Sequence, residues 1–332
     1  MCNGTAKSYF CLKAIFIMQA TLHEPDVSQD CAPLTDGRGL SDCLVANHKL
    51  KELMTTELRQ AGFEVVPNSK ANAQTVHLPV DHWIEVGALC MLAQSDTAVC
   101  LMDKRGDLVA WKGAEKPQHC GDDIVTEAEC FRIKYPWDLL QLNEEVLSMM
   151  DSSEISGDIH PLAYVDGHIH LGKGSRILPG VYIEGNVIIG DGCQIGPNAY
   201  IHGNTSIGDD CSIGNAVEIA NSVIYPHTHV KHLSYVGDSI LGSHVQLGAG
   251  TVVANYRHDG TNHRSLVQGR LVDTQRKKFG AVLGDGVRTG INTCVYPGRK
   301  IGPGRMTSPN AIVDKDLMSS RMTSRNSVSY QI

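Results

Sequence analysis

Aromatic side chains are scarce in this 332-residue chain: Phe, Trp and Tyr together make up 5% of it, with only three tryptophans. A wide core is hard to fill without them, so the interior must be narrow or built of aliphatics. Positive charge is also short, with 29 Lys+Arg against 36 Asp+Glu and a formal charge of −7. With no dense Lys/Arg run either, a nucleic-acid or membrane-surface protein is excluded. No apolar run reaches the ~18 residues of a membrane span. The apolar stretch Phe10 to Met18 is broken by Lys13 and lacks a small-residue cleavage site. It reads as an upstream extension before a start near Met18 rather than as a secretory signal. The eleven cysteines are odd in number and scattered, with no CxxC pair. They read as free thiols in a reducing compartment, and the expected location is cytoplasmic.

Glycine is what the chain has in quantity. Of its 33 glycines, 25 fall between Gly157 and Gly304, whereas every tryptophan lies before residue 138. Two unlike halves are implied. In the second, stepping by six from Ile159 gives Val165, Leu171, Ile177, Ile183, Ile189, Ile195, Ile201, Ile207, Ile213 and Ile219, all branched aliphatics. Four residues after each, the side chain is small or Val-sized in nearly every case, as at Val181, Val187, Cys193, Ala199, Thr205 and Cys211. Such a repeat is a short strand and a bend, three to a triangular coil, with the aliphatics stacked inside and the small residue near the corner. Cys193 and Cys211 then stack as small core residues. The phase slips by one at Ile224 and resumes through Val230, Val236, Leu241, Leu247 and Val253. Residues 256–279 interrupt it as a projecting loop, and it returns at Leu283, Val295, Ile301 and Val313. About seven coils result.

The first half differs. A helical pattern over 42–60 is followed by strand-like runs at Phe63–Val66 and Ala98–Met102, which reads as a small α/β domain. The expected organisation is a tail over 1–24, an α/β domain over 25–130 and a linker helix within 131–152. A β-helix over 153–318 and a polar tail over 319–332 complete it.

The segment His232-Leu-Ser-Tyr-Val-Gly-Asp-Ser, with Leu247-Gly-Ala-Gly250 and Ala254-Asn-Tyr256, resembles the acetyltransferase half of the bifunctional sugar-1-phosphate nucleotidylyltransferase/amino-sugar-phosphate acetyltransferases, in their long-loop archaeal form. Leu271-Val-Asp-Thr, Arg276-Lys-Lys-Phe-Gly-Ala281, Thr289-Gly-Ile-Asn292, Tyr296-Pro-Gly-Arg-Lys-Ile301 and the linker Tyr135-Pro-Trp-Asp-Leu-Leu140 extend the resemblance over about residues 131–315. It implies a left-handed parallel β-helix, a homotrimer, acetyl-CoA as acyl donor and an amino sugar, as its 1-phosphate, as acceptor. By the same resemblance His232 is the general base and the Ala249 amide the oxyanion donor. Tyr235, Asn255, Tyr256, His202 and Gln246 fall on the acceptor side, and Lys277, Lys278 and Gly290 on the coenzyme A side. The chemistry suits these types: an imidazole can take the proton of an attacking amine, and a backbone N–H at a tight corner can receive an oxyanion.

The departures are specific. His202 stands where an Arg is common, Ala220 where a Lys is, and Gln246 where an Asn is. No Gly-rich triphosphate loop occurs in the first half. Pro33-Leu-Thr-Asp-Gly-Arg38 is at most a remnant, so nucleotidyl transfer is not expected. Two further readings stay open. One is a non-catalytic binding or regulatory β-helix that has lost both activities. The other is a zinc enzyme of carbonic-anhydrase type using His227, His229 and His232, although their spacing does not match that family and no metal is expected. Asp166-Gly-His-Ile-His170 looks like an amidohydrolase metal motif, but Ile169 takes an interior position and leaves both histidines outside.

Overall fold

The computed structural model describes residues 18–318, apart from 25–28, 85, 96, 98, 104–106, 115, 117–122 and 126–129. The tail over 319–332 and most of the segment 1–24 lie outside the described residues. The chain divides into two compact units that interleave along the sequence. One takes the residues up to His23, Thr55–Pro79 and Ile84–Cys130; the other takes Glu24–Met54, Val80–Trp83 and Phe131 onward. Residues 25–130, read above as one domain, thus contribute to both units.

The first unit is α/β. Its sheet runs, in spatial order, Phe63–Val65, Met18–His23, Val76–Pro79, Leu108–Lys112, Val99–Met102 and Asp123–Val125. The first three strands are parallel, and Leu108–Lys112 is antiparallel to both of its neighbours. Val99–Met102 is buried almost throughout, as an unbroken apolar run requires when both faces of a strand are covered. The uncharged helix Val86–Gln94 packs on the strands Val76–Pro79, Val99–Met102 and Leu108–Lys112. Cys100 is disulfide-bonded, which corrects the expectation that every cysteine is a free thiol. The described free cysteines are Cys31, Cys43, Cys90, Cys130, Cys193, Cys211 and Cys294.

The second unit is dominated by a parallel β-helix of three sheets, two with eight strands and one with six. Two sheets are therefore eight coils deep, one more than the repeat suggested. The six-residue step becomes register. Val165 pairs Ile183, which pairs Ile201, then Ile219, Val236, Val253, Val295 and Val313. Ile177, Ile195, Ile213, Val230 and Leu247 form a second ladder, and Leu171, Ile189, Ile207, Ile224, Leu241, Leu283 and Ile301 a third. These residues form one buried aliphatic core, with Val165 partly buried at its edge. The small positions are buried with them: Val181, Cys193, Ala199, Thr205 and Cys211 are each at most 2% exposed.

Two coils are a residue short, since Ile207 pairs Ile224 and Ile224 pairs Leu241, a step of 17 rather than 18. A hydroxyl at that corner holds each coil to the next. Thr205 Oγ1 accepts from Ser222 N at 3.3 Å, Ser222 Oγ from Ser239 N at 3.1 Å and Ser239 Oγ from Ala281 N at 3.0 Å. The last of these bonds carries the ladder across the inserted loop. That loop contains an antiparallel hairpin, Arg264–Val267 with Arg270–Asp273, and its ends meet where Tyr256 bridges Lys278.

The helix Pro136–Ser148 starts as its sequence dictates, with proline in the first turn and Asp138 accepting from the N–H groups of Lys134 and Tyr135, both at 2.8 Å. Burial pushes the Asp138 carboxyl up to about 6 against those two bonds. Asn143 then joins three segments. Its Oδ1 accepts from Ala46 N (3.0 Å) and Ser206 Oγ (2.8 Å), and its Nδ2 donates to Asn204 O (3.0 Å). Segment 24–54 also holds to the coils through Leu44 N on the Tyr225 hydroxyl (2.7 Å) and Asn47 Nδ2 on Ile207 O (2.6 Å). Arg38, from the stretch read as a remnant phosphate loop, is ion-paired with Asp285 and lies over the Tyr225 ring.

Removing the Ser239 hydroxyl leaves the buried Ala281 N–H without its partner. Ser239→Ala is expected to cost about 1–3 kcal/mol, read as a lower urea midpoint at unchanged slope.

Candidate functional site

His232 ends the strand His229–His232 and is exposed. Its carbonyl accepts from Gly250 N at 3.1 Å and from Ser234 Oγ at 2.8 Å, so the corner Leu247–Gly250 lies directly on the next coil. Within that corner Gly248 N donates to Thr289 O and Gly250 N to His232 O. The Ala249 N–H between them donates to no protein group among the described residues, while its carbonyl accepts from Asn292 N at 2.8 Å. Gly290 stacks one coil further on, so close that a Cβ added to Gly248 would lie 2.6 Å from its carbonyl carbon. His232, Ala249 and Gly290 thus occupy one edge of three successive coils. An imidazole and a free backbone N–H on adjacent rungs, separated by about one strand spacing of ~4.8 Å, are suited to proton transfer and to receiving an oxyanion.

A second group adjoins through the strand Tyr235–Gly237. The Tyr235 hydroxyl lies against the Asn255 amide, and Gly237 is the floor beneath both: a Cβ there would collide with Tyr235 Oη and Asn255 Nδ2. Asn255 Nδ2 donates to Asp238 Oδ2 at 2.6 Å. Asp238 is 97% buried as a side chain, and Arg276 Nη2 stands 4.0 Å from its other oxygen. Arg276 in turn grips Glu144 of the helix Pro136–Ser148 with both terminal nitrogens, one at 3.2 Å. Burial raises the Asp238 carboxyl; the Asn255 bond and the charges of Arg276 and Lys278 oppose it. Burial, then the carboxylates of Asp238 and Glu218, hold the Tyr235 phenol above its usual range.

The other residues named from sequence scatter around this edge. Lys278 faces Asp238, and Tyr256 is half-exposed where it bridges Lys278. Lys277 is exposed on the loop. Gln246 is exposed on the strand that leads into the Ala249 corner and is register-paired with His229. His202 lies two coils below Gly237, in the column His202, Ala220, Gly237. Its ring is stacked on Tyr200 (4.3 Å between centroids), and its Nε2 is 3.1 Å from Glu218 Oε1. Ala220 is buried. Asp238, Arg276 and Glu144 carried no assignment from sequence, because the helix and loop that bring two of them in are remote along the chain. The signals available were Asp238 in the His232 segment and Arg276 in the Arg276-Lys-Lys-Phe-Gly-Ala281 stretch.

Among the described residues no three His, Cys, Asp or Glu side chains are grouped to hold a metal. His227 is stacked on His244 and faces Asp210 at 3.6 Å. Ile169 is buried at an interior position, with His168 and His170 on either side of it.

Residues 183–316 match the family model of the GMPPB C-terminal domain. The Bifunctional protein GlmU of Methanococcus maripaludis strain S2 is 42% identical over 185 residues, which is 56% of this chain and 44% of that protein. The same protein in strain C7 is 48% identical over 185 residues, with the same coverage. The Bifunctional sugar-1-phosphate nucleotidylyltransferase/acetyltransferase of Sulfurisphaera tokodaii is 38% identical over 194 residues, 58% of this chain and 48% of that protein. The chain spans less than half the length of these curated relatives. Over its C-terminal half the chain is similar to proteins named Bifunctional protein GlmU and Bifunctional sugar-1-phosphate nucleotidylyltransferase/acetyltransferase.

Proposed function

We propose that the β-helix transfers the acetyl group of acetyl-CoA to the amine of an amino sugar, with the sugar 1-phosphate as the acceptor of choice. In this reading it works as a homotrimer with sites between neighbouring solenoids, in the cytoplasm, without a metal. The observation that carries the proposal is the Ala249 N–H, free of any described partner, on the corner hydrogen-bonded to His232.

The steps follow from these groups. His232 takes a proton from the acceptor amine as its nitrogen forms a bond to the thioester carbonyl carbon. The carbonyl oxygen becomes an oxyanion and receives the Ala249 N–H. Collapse breaks the carbon–sulfur bond, and the coenzyme A thiolate leaves with the proton that His232 returns. Tyr235 and Asn255 hold the sugar, joined on the acceptor side by Tyr256, Gln246 and His202. Lys277, Lys278 and Gly290 serve the coenzyme. The match to bifunctional transferases supports this reading.

A second reading, a binding protein without catalysis, draws on one observation. His202 is already engaged by Glu218 and Tyr200, and Ala220 offers no charge. Calorimetry with acetyl-CoA separates the two, because a protein without the transferase site gives no binding heat.

Two outcomes are expected. His232→Ala lowers thiol release from acetyl-CoA with glucosamine 1-phosphate by about 10²–10⁴-fold. A rate within twofold of wild type, or no release by the wild type with any amino sugar, overturns the reading. Gly237→Ala drives a Cβ into the Tyr235 hydroxyl and the Asn255 amide. It is expected to lower kcat/KM for the acceptor by up to about 10²-fold with KM for acetyl-CoA unchanged.

A further inference from the structure

The corners of the coils explain why a carboxylate can stand at Asp238, and its bonds show what it does there. Gly185, Gly203, Asn221 and Asp238 succeed one another at one corner, all with positive φ; Asn221 is at +44° and Asp238 at +47°. The left-handed conformation admits glycine freely, and asparagine and aspartate more readily than other side chains. At Asn221 the side chain serves the backbone, Oδ1 accepting from Asn204 N at 3.0 Å. At Asp238 it does not. Oδ2 accepts from the Asn255 amide at 2.6 Å, and Oδ1 faces Arg276 at 4.0 Å. The corner needs no carboxylate for its own conformation, since Asn221 satisfies the same geometry one coil below.

The groups that face Asp238 come from four elements. Tyr235 lies on its own strand, Asn255 on the next coil, Arg276 and Lys278 on the inserted loop, and Glu144 on the helix Pro136–Ser148. Arg276 is the brace, fixed by Glu144 on one side and turned toward Asp238 on the other. An Asn side chain can present either end of its amide. The Asp238 carboxylate accepts only, so it draws the NH₂ end of Asn255 to itself and leaves the carbonyl end for other donors. The same carboxylate lies near the Tyr235 phenol and favours its protonated form.

We infer that Asp238 is a positioning residue for the acceptor side of the site: its carboxylate, braced by Arg276 and Glu144, sets the orientation of the Asn255 amide against the Tyr235 hydroxyl. The inference rests on the acyl-transfer reading above for its kinetic consequence; for its effect on Tyr235 it rests on the charge of Asp238 and on the Asn255 amide that lies between Asp238 and the Tyr235 hydroxyl.

The test uses the full chain with Asp238→Asn, which keeps an acceptor oxygen and removes the charge, and Asp238→Ala. The ionisation of Tyr235 is followed by ultraviolet difference titration against Tyr235→Phe, with circular dichroism to register folding. Asp238→Asn is expected to move the Tyr235 transition to lower pH, because the anion that disfavours phenolate is gone. An unmoved transition in a folded variant overturns the inference. In turnover, kcat/KM for the acceptor is expected to fall about tenfold or more in Asp238→Asn, with KM for acetyl-CoA unchanged. The double variant Asp238→Ala/Asn255→Ala is expected to be no slower than Asn255→Ala alone. Additive losses, or an acceptor kcat/KM equal to wild type, count against the positioning role. A wild type that transfers no acetyl group removes the proposed activity, while the phenol titration still decides the role of Asp238.

Discussion

Register between stacked coils is the constraint on which the rest of this unit depends. Each coil is too thin to bury its own apolar face, so stability comes from laying aliphatic on aliphatic, Val165 on Ile183 on Ile201 and onward to Val313. A change in coil length must therefore be absorbed at a corner and not in a strand. Both 17-residue coils shorten where Ser222 and Ser239 stand, and there the hydroxyl ladder replaces the missing backbone. The loop 256–279 obeys the same rule. It leaves after Ala254 and returns at Phe279, so Val253 still pairs Val295 and Leu241 still pairs Leu283. The insertion leaves the pairing of the ladder intact, and its closure entropy grows only slowly with length.

The same register that aligns the core also aligns the outside. Tyr182 stacks on Tyr200 at 5.2 Å and Tyr164 approaches Tyr182 at 5.6 Å, for they occupy one outward position on successive coils. The aromatics that the narrow interior excludes are thus collected in a column on the surface. In like manner His232 and the Ala249 corner come together although 17 residues separate them in sequence. A rung apart in the stack, they need no long side chain or folded loop to meet.

This is why so much of the solenoid was legible in the sequence. The positions of Ile183, Ile201 and Ile219 fix the register, the register fixes the neighbours, and the His232 segment carries its own motif. What was not legible depends on packing between remote segments. Nothing in residues 24–54 states that Leu44 will bond the Tyr225 hydroxyl or that Ala46 will meet Asn143, so the segment read as part of an N-terminal domain. Nothing in Glu144 or Arg276 alone states that they will pair over 132 residues and face Asp238. The helix cap at Asp138, by contrast, is local, and the helix Pro136–Ser148 lies within the span 131–152 expected for a linker helix. Cys100 illustrates the opposite failure: scattered spacing suggested free thiols, and spacing carries no information on which chain segments a fold brings together.

His202 shows the limit of reading a motif one position at a time. Taken alone, a histidine in place of an arginine is a weakened cation. In the fold it belongs to a closed set: its ring lies on Tyr200, the Tyr200 hydroxyl donates to Glu184, and its own Nε2 meets Glu218. An arginine at the same point could also lie flat on Tyr200, but Glu218 would remain beside it and compete with any anion for its charge. Glu218 is also the register neighbour of Tyr235, whose phenol feels its charge. His202 is therefore one part of a polar set along the outer face of three coils, with Glu184 and Glu218 on either side of the Tyr200 and His202 rings. That grouping follows from the ladder: a residue on one rung meets those on the rungs directly above and below it.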